Sequence, residues 1–456
     1  MTLDPIRAPR PFDAPGPAPG AGAGVGEAWR AARSVAPPGH LDAAGCNVPS
    51  DRVLDAVVAH LRLERELGGY GAVPDLATSR EALAALVGAR PGDVAFLESG
   101  TAAMAALLGG WRLGAGARVG CTRTEYGSTL MLLRRLAARH GWHLVELPVD
   151  GDTRIDPDGL RARLSAGLDL VVVSHIGSHR GVVQPAVEIG ALCRRAGVPF
   201  VLDVCQSLGH VEVRGTGAGA YVGTSRKWLA GPRGVGFLIA PGLTPAMDAP
   251  APTLGGHVWP DPPWEGLAPG ACGLSRDGGV RASGGGEGSW GDVAPGACGL
   301  SRDDGARARG GGEAPWEGGE PVPVPGAARY ESSEAAVAAR AGLGVAVLEH
   351  HALGPAAVHA HLAELGRTAR ELLDGAGGWR VAEPLDEPSA LVTLIPPSGD
   401  TAERAAARAA EASLLVSVVP TARAPLDLRE PVLRVSPPPG TPVDTLQALT
   451  HILSTP

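Results

Sequence analysis

Short apolar runs alternate with amphipathic stretches through most of the chain, and this alternation restricts the fold more than any other feature. Apolar runs typical of strands occur at Val94–Leu97, Arg118–Cys121, His143–Leu147, Leu168–Ser174, Val198–Asp203 and Gly234–Ala240. Helical patterns lie between them, for example at Gly127–His140 and Ala186–Ala196. The alternation predicts an α/β fold in which a mainly parallel sheet is flanked by helices on both faces.

The same pattern divides the 456-residue chain into four predicted regions. Residues 1–39 are rich in Pro, Gly and Ala, which predicts a disordered tail. Residues 40–242 form the predicted large domain. Residues 243–326 contain a tandem repeat of period 26, because Ala-Pro-Gly-Ala-Cys-Gly-Leu-Ser-Arg-Asp occurs at 268–277 and again at 294–303. Gly-rich copies without apolar periodicity cannot bury a core, so we expect a low-complexity surface insertion there.

Residues 327–456 form the predicted small α+β domain. Helical patterns occur near Ser333–Leu348 and at Pro355–Leu373. Short apolar runs typical of strands follow at Leu391–Ile395, Leu414–Val418 and Val432–Val435.

Composition argues against several classes of protein. The net charge of -8 gives no reason to expect nucleic acid or an anionic membrane as partner. No run of about 18 uncharged apolar residues occurs, and the first forty residues lack the apolar segment of a secretory signal. We therefore expect a cytoplasmic location. The six cysteines form no C-x-x-C pair and the histidines lack matched ligand spacing, so no metal site is predicted.

Lys227 is the only lysine among the 40 Lys and Arg residues of the chain. Arg can replace Lys where a positive charge is enough, but a guanidinium stays protonated and forms no Schiff base. The alternative is the chance survival of one surface lysine. Lys227 lies in a turn between the apolar runs Ala220–Gly223 and Val235–Ala240, where Thr224 and Arg226 would suit a phosphate group. This setting favours a functional amine.

Asp203 ends the apolar run that starts at Val198. The carboxyl end of a central strand is where α/β folds place functional groups. An enzyme that uses pyridoxal 5'-phosphate (PLP) needs a carboxylate to keep the pyridine nitrogen protonated. Gln206, three residues later, can hydrogen-bond the 3'-oxygen of the ring. The alternative is that Asp203 only caps the start of a helix.

Two further turns carry candidate cofactor contacts. Ser99, Gly100 and Thr101 lie between an apolar run and the apolar helical stretch Ala102–Leu108, an arrangement that can bind phosphate through backbone N–H groups and a hydroxyl. A plain capped helix start explains them equally well. Tyr126 begins another such connection and can either stack on the pyridine ring or pack in the core.

The segment 224–236, Thr-Ser-Arg-Lys-Trp-Leu-Ala-Gly-Pro-Arg-Gly-Val-Gly, resembles the lysine motif of the class V aminotransferase family, in the cysteine desulfurase-like branch of PLP fold type I. Leu202–His210 is similar to the Asp-x-x-Gln cofactor strand of that family. The resemblance covers roughly 41–242 and 327–440. It implies PLP as cofactor, fold type I, and a large domain followed by a small α+β domain.

The resemblance also implies residue roles. Lys227 would form the Schiff base, and Asp203 and Gln206 would contact the ring. Thr101, Thr224 and Arg226 would bind the phosphate. Arg329–Ser333 is similar to the segment that reaches the phosphate of the neighbouring subunit, which implies a homodimer. Arg434, within Leu433–Ser436, matches the arginine of the C-terminal motif and would bind the substrate carboxylate.

Departures from the family pattern narrow the branch. Tyr126 stands where desulfurases usually have a ring-stacking His, and Ser178 stands where an Asn usually lies beside the ring. No cysteine follows Cys298, so the predicted small domain has no thiol to accept sulfur as a persulfide. Leu41–Ala44, Glu66–Tyr70 and Ser174–Gly181 look closest to the PLP-dependent C–S lyases of ergothioneine biosynthesis.

This branch implies β-elimination from hercynylcysteine sulfoxide, giving pyruvate and ammonia. Its substrate carries a trimethylammonium group, which favours an aromatic face, and Tyr70 is a candidate for that contact. Other class V activities remain as alternatives, namely an epimerase, a selenocysteine lyase or a cysteine desulfurase. A catalytically silent PLP fold that acts as a binding protein is the alternative of another class.

Overall fold

The structure is a computed structural model that describes residues 24–259, 320–332 and 334–455. Its α-helices are α1 (Val25–Ala31), α2 (Ala43–Cys46), α3 (Asp51–Leu67), α4 (Ala77–Val87), α5 (Gly100–Gly109), α6 (Gly127–His140), α7 (Pro157–Ser165), α8 (Ala186–Ala196), α9 (Val337–Leu353), α10 (Pro355–Leu373), α11 (Ala402–Glu411) and α12 (Val443–Ser454). Short 3₁₀ helices occur at Pro91–Asp93, Ala327–Tyr330, Ala376–Gly378 and Thr421–Arg423. No helix in this part of the chain is both long and apolar enough to cross a membrane.

The strands form three sheets. They are β1 (Val94–Leu97), β2 (Arg118–Cys121), β3 (His143–Glu146), β4 (Leu170–Ser174), β5 (Phe200–Asp203), β6 (Ala220–Thr224), β7 (Gly236–Ile239), β8 (His257–Val258), β9 (Val322–Pro323), β10 (Arg380–Val381), β11 (Val392–Ile395), β12 (Ser417–Val419) and β13 (Val432–Val435). The seven-stranded sheet has the order β1-β7-β6-β5-β4-β2-β3. Its strands are parallel from β3 to β6, whereas β7 is antiparallel to both β6 and β1. The predicted mainly parallel α/β fold is confirmed.

Both faces of the seven-stranded sheet are buried, which explains why its strands are continuous apolar runs. Alternate residues of β4 enter different cores: Val171 and Val173 pack on one side, and Leu170 and Val172 on the other. The first core includes residues of α4, α7, α8 and α9, and the second includes residues of α5 and α6.

A four-stranded antiparallel sheet, in the order β10-β11-β13-β12, forms the C-terminal part of the fold. Residues of α10, α11 and α12 share its core. Leu41, near the start of the described chain, belongs to this core, and its backbone N–H donates to the carbonyl of Leu415 at 2.9 Å.

At the end of the predicted tail and at both ends of the predicted insertion, the described residues pack against other parts of the chain. Residues 25–31 of the predicted tail form α1, in which the buried Trp29 carries the guanidinium of Arg33 at 3.6 Å from its ring. Within the predicted insertion, Met247 is buried in the second core, and Val324 donates to the carbonyl of Gly256 at 2.9 Å. These positions depend on partners distant in the chain, which local composition does not reveal. Residues 1–23 and the tandem repeat lie outside the described residues.

The predicted boundary at residue 327 also differs from the structure. Ala327 and Tyr330 pack in the second core, and Leu343 and Val347 of α9 pack in the first. The helix predicted near Ser333–Leu348 is α9, and its apolar residues cover the large sheet rather than the small one. The segment therefore belongs to the body around the seven-stranded sheet.

Candidate active site

One pocket lies where β4, β5 and β6 end, at the carboxyl edge of the seven-stranded sheet. This is the edge at which open α/β sheets bind their ligands. The structure brings all ten predicted cofactor residues into its wall: Ser99, Gly100, Thr101, Tyr126, Ser178, Asp203, Gln206, Thr224, Arg226 and Lys227. They come from five separate segments, which only the tertiary fold brings together.

Lys227 lies in the loop that joins the antiparallel strands β6 and β7. The loop is closed by hydrogen bonds from Ser225 N–H to the Val235 carbonyl and from Ala230 N–H to the Lys227 carbonyl, at 3.0 and 2.9 Å. Burial lowers the pKa of the Lys227 amine to about 8, although Asp203 opposes this shift and Arg226 adds to it. About one tenth of the amine is therefore uncharged, and thus nucleophilic, at pH 7, far more than for an ordinary lysine.

Asp203 ends β5 and lines the pocket. Its Oδ1 accepts a hydrogen bond from Cys205 N–H at 2.8 Å, so one oxygen has a local structural role. The neighbouring Gln206 uses its amide within the protein: Nε2 donates to the Ala44 carbonyl at 3.1 Å, and Oε1 accepts from Trp228 Nε1 at 3.0 Å. Gln206, one of the two predicted ring contacts, therefore already has both ends of its amide hydrogen-bonded within the protein.

The segment at Ser99–Thr101 has the geometry of a capped helix start beside the pocket. Ser99 Oγ accepts from Ala102 N–H at 3.1 Å, and α5 begins at Gly100. A Cβ on Gly100 would lie 2.5 Å from the sulfur of Cys205, so the close approach of these segments requires glycine. The first-turn N–H groups of a helix have no partner within it and attract anions.

The donor set of the pocket fits PLP. Thr101, Thr224 and Arg226 share its wall with the start of α5, and together they offer hydroxyl, guanidinium and backbone N–H donors to a phosphate group. Ser178 Oγ is buried and has no hydrogen-bond partner among the described residues. A buried hydroxyl without a partner is costly, which indicates that a bound molecule satisfies it.

Glu125 is a buried carboxyl group to which the sequence analysis assigned no role. Its Oε2 accepts from the N–H and the hydroxyl of Ser174, both at 2.7 Å, and its Oε1 accepts from Thr122 Oγ1 at 2.7 Å. Ser174 lines the pocket and pairs with Asp203 across β4 and β5. Burial raises the pKa of Glu125 to about 7 against the effect of these hydrogen bonds, and Asp203 adds to the rise. The only local signal is an acidic residue in the short connection between the apolar run Arg118–Cys121 and the helical stretch Gly127–His140.

Tyr126 and Tyr70 occupy different environments. Tyr126 is half-buried at the start of α6 and lines the pocket. Tyr70, the candidate for the trimethylammonium contact, is 88% exposed, and its hydroxyl donates to Glu334 at 2.8 Å. It does not line the pocket of this chain.

Arg434 is fully buried in β13 behind Ser178 rather than in the pocket wall itself. Its guanidinium donates to Asp42 Oδ1 and to the Ser178 carbonyl, both at 2.9 Å, and to Ser417 Oγ at 3.2 Å. Its Nε has no partner among the described residues. A second arginine, Arg423, does line the pocket, although no sequence pattern indicates it.

The thiol of Cys205 also lines the pocket. Burial, together with Asp203, raises its pKa well above the ordinary value. A thiol must ionise to act as a nucleophile, so this cysteine is inert near neutral pH. Within the described ranges, no group of three or more His, Cys, Asp or Glu side chains is arranged to hold a metal ion.

Comparisons with known proteins show which family this chain belongs to. The family model for aminotransferase class-V matches residues 65–262. A probable hercynylcysteine sulfoxide lyase of Mycobacterium tuberculosis is 35% identical over 438 residues, which cover 94% of this chain and 93% of that protein. An isopenicillin N epimerase of Amycolatopsis lactamdurans is 31% identical over 47% of this chain and 58% of its own length.

Solved structures share the fold. A cysteine desulfurase from Thermococcus onnurineus matches with a TM-score of 0.69 at 18% identity, over 91% of this chain and 93% of that one. The cystine C–S lyase C-DES matches with a TM-score of 0.70 at 18% identity, over 91% and 97%. The predicted family, fold and cofactor are confirmed. This chain belongs to the class V aminotransferase family of PLP-dependent enzymes.

Proposed function

We propose that this enzyme is a carbon–sulfur lyase that cleaves hercynylcysteine sulfoxide by β-elimination, with PLP attached to Lys227. The carbon–sulfur bond of the cysteine moiety breaks, the sulfur departs with its substituent as a sulfenate, and hydrolysis of the remaining three-carbon unit gives pyruvate and ammonia. The observation that carries the proposal is the nearly full-length similarity to a probable hercynylcysteine sulfoxide lyase.

The residues around the pocket have distinct tasks in this reaction. Bound PLP supplies an electron sink that makes the α-proton of an attached amino acid acidic. The Lys227 amine, with its pKa lowered to about 8, is suited to take that proton near neutral pH. Asp203 keeps a positive charge on the ring nitrogen. Thr101, Thr224 and Arg226 hold the phosphate. Arg434 lies behind the pocket residue Ser178 with its Nε unpartnered among the described residues, and we assign it to the substrate carboxylate.

The cysteine positions support elimination rather than sulfur relay. A desulfurase needs an ionised thiol to receive sulfur, but no cysteine follows Cys298. Cys205, within the pocket wall, has a raised pKa and stays protonated. A sulfoxide substrate needs no such acceptor, because its sulfur leaves together with its substituent.

We also propose that the enzyme is a homodimer. The support is the similarity of Arg329–Ser333 to the segment that reaches the phosphate of a neighbouring subunit. In this chain Arg329 donates to the carbonyls of Gly326 and Met247, both at 3.1 Å, so its own protomer fixes the segment. Sedimentation equilibrium of the holoenzyme at micromolar concentration should give twice the chain mass of 46.2 kDa.

A substrate panel tests the activity. The holoenzyme is incubated separately with hercynylcysteine sulfoxide, cysteine, selenocysteine and isopenicillin N. The proposal predicts pyruvate and ammonia from the sulfoxide, with the highest kcat/KM of the four. Alanine with sulfide or selenide would indicate a desulfurase or selenocysteine lyase, and a stereoisomer of isopenicillin N would indicate an epimerase.

A further inference from the structure

Arg423 is a cation of the pocket that no step proposed above uses. It ends the 3₁₀ helix Thr421–Arg423 between β12 and β13, and its half-buried side chain lines the pocket. Within the described part of the chain its guanidinium makes no hydrogen bond and no ion pair, whereas Arg434 is bonded to Asp42, Ser178 and Ser417. Arg423 therefore offers a complete set of donors to a ligand.

Backbone packing fixes where Arg423 enters the pocket. The carbonyl of Ala422 lies so close to Gly127 that a Cβ there would be 2.0 Å away. This contact places Arg423 beside the start of α6, next to the pocket residues Tyr126 and Thr129.

A second contact holds the same segment from its other side. The buried His179 and Asp427 are joined at 2.8 Å between Nε2 and Oδ2, which connects the turn after Arg423 to the loop that carries Ser178. Both contacts place the segment that carries Arg423 on the side of the pocket where Tyr126 and Ser178 lie.

The charges of the pocket leave Arg423 without a counterion once the proposed assignments are made. In these assignments Arg226 pairs with the phosphate, Asp203 with the ring nitrogen, and Arg434 with the substrate α-carboxylate. Arg423 is close enough to Arg434 that repulsion between them contributes, after burial, to lowering the pKa of Arg434, against the effect of Asp42. A second anion on the substrate would relieve this repulsion.

We propose that Arg423 binds a second carboxylate, carried by the sulfur substituent of the substrate, and so selects dianionic cysteine derivatives over those with neutral substituents. This inference rests on the proposed lyase function, because only a cysteine derivative with a substituent on sulfur can carry the second carboxylate. It agrees with a histidine betaine substituent, which carries a carboxylate next to its trimethylammonium group. The planar guanidinium of arginine can donate two parallel hydrogen bonds to one carboxylate, and no other side chain matches that group as well.

The test compares two substrates of similar size that differ in one charge, S-(2-carboxyethyl)-L-cysteine sulfoxide and S-propyl-L-cysteine sulfoxide. Pyruvate release is measured for the wild-type holoenzyme and for Arg423→Gln, Arg423→Lys and Arg429→Gln. Arg429 is an exposed arginine of the same region and is the matched control. We expect Arg423→Gln to lower kcat/KM for the carboxyethyl substrate roughly 10- to 100-fold more than for the propyl substrate, mainly through KM. Arg423→Lys should restore part of the preference, and Arg429→Gln should leave it unchanged.

Equal losses for the two substrates, or no loss for either, would overturn the assignment of Arg423. Calorimetric titration with the unreactive thioethers S-(2-carboxyethyl)-L-cysteine and S-propyl-L-cysteine separates this outcome from a failure of the lyase proposal. If no sulfoxide releases pyruvate, the lyase function is wrong. The Arg423 assignment is then judged on whether Arg423→Gln abolishes the tighter binding of the carboxyethyl thioether.

Discussion

The seven-stranded sheet and the C-terminal region contribute to the pocket in physically different ways. Along the sheet edge, Asp203 and Ser174 occupy paired positions at the ends of adjacent parallel strands, so the ladder itself fixes their spacing. In the C-terminal region, Arg434 is held by side-chain and carbonyl bonds to three other segments, and Arg423 stands on a short 3₁₀ helix. We propose that the sheet edge supplies the reacting groups and that the C-terminal region supplies cations for recognition.

This comparison predicts two classes of mutational effect. Changes at the sheet edge should lower kcat, because they alter groups that act on the reacting atoms. Changes in the C-terminal region should raise KM, because they alter contacts with parts of the substrate that do not react.

The largest effect is expected at Lys227. Lys227→Ala should abolish turnover, and Lys227→Arg should not restore it, because a guanidinium cannot form a Schiff base with an aldehyde. Borohydride reduction of the wild-type holoenzyme followed by peptide mapping should find PLP on the peptide that contains Lys227. Turnover by Lys227→Ala at a rate near that of the wild type would contradict the PLP assignment.

Asp203 comes next. Asp203→Asn keeps an oxygen that can accept from Cys205 N–H but removes the negative charge, so PLP should stay bound while kcat falls at least about 100-fold. Asp156→Asn is the matched control, because Asp156 only caps α7 by accepting from the N–H groups of Asp158 and Gly159. If kcat changes no more in Asp203→Asn than in this control, Asp203 is only a structural cap.

A change at Arg434, in the C-terminal region, should mainly raise KM. Arg434→Lys keeps the charge but loses the planar fork that donates to Asp42 and Ser178, so KM should rise roughly tenfold or more while kcat changes little. Because the side chain is fully buried, the melting temperature should also fall by several degrees. Arg367→Lys, in an exposed ion pair with Glu364, serves as control and should change neither quantity. A fall in kcat without a rise in KM would place Arg434 with the reacting groups.

The difference between the two regions also explains what the sequence could predict. The bounds of β1, β2, α6 and α8 agree with the predicted runs, because strands buried on both faces are continuous apolar segments between capped helices. The predicted cofactor residues lie at or near the ends of such segments, where local patterns carry information. Arg423 has no comparable signal, since its position depends on a contact between Ala422 and Gly127, nearly three hundred residues apart.

Two other sequence-based assignments show the same limit. Composition does not predict α1, because Trp29 packs against Gly440, far away in the chain, and Arg33 donates to the Val48 carbonyl. The aromatic ring of Tyr70 makes it a candidate for the trimethylammonium contact, but the structure places it on an exposed surface. Residue type and short motifs predict chemistry at a strand end, but they do not predict which surface a long-range contact creates.

The smallest effect concerns Glu125, which lies beneath the sheet edge rather than in the pocket. The native protein holds the proton of this carboxyl up to about pH 7, whereas an unfolded chain releases it near its ordinary pKa of 4.5. Between these values the native state binds more protons than the unfolded state, so a rise in pH favours unfolding, by about 3 kcal/mol in total. Gln has no proton to lose, and in Glu125→Gln this pH-dependent loss should disappear.

The melting temperature of Glu125→Gln, relative to the wild type, should therefore increase by a few degrees as the pH rises from about 4.5 to above 7 and then level off. Glu146→Gln is the matched control, because Glu146 pairs with Arg123 at an exposed site on the neighbouring strand β3, where solvent screens the charge. Its melting temperature relative to the wild type should stay nearly constant over the same range. A constant difference for Glu125→Gln as well would mean that Glu125 is already ionised in the native protein at low pH. Glu125 would then be charged in the native protein despite its burial, and the sheet edge would be less desolvated than its buried strands imply.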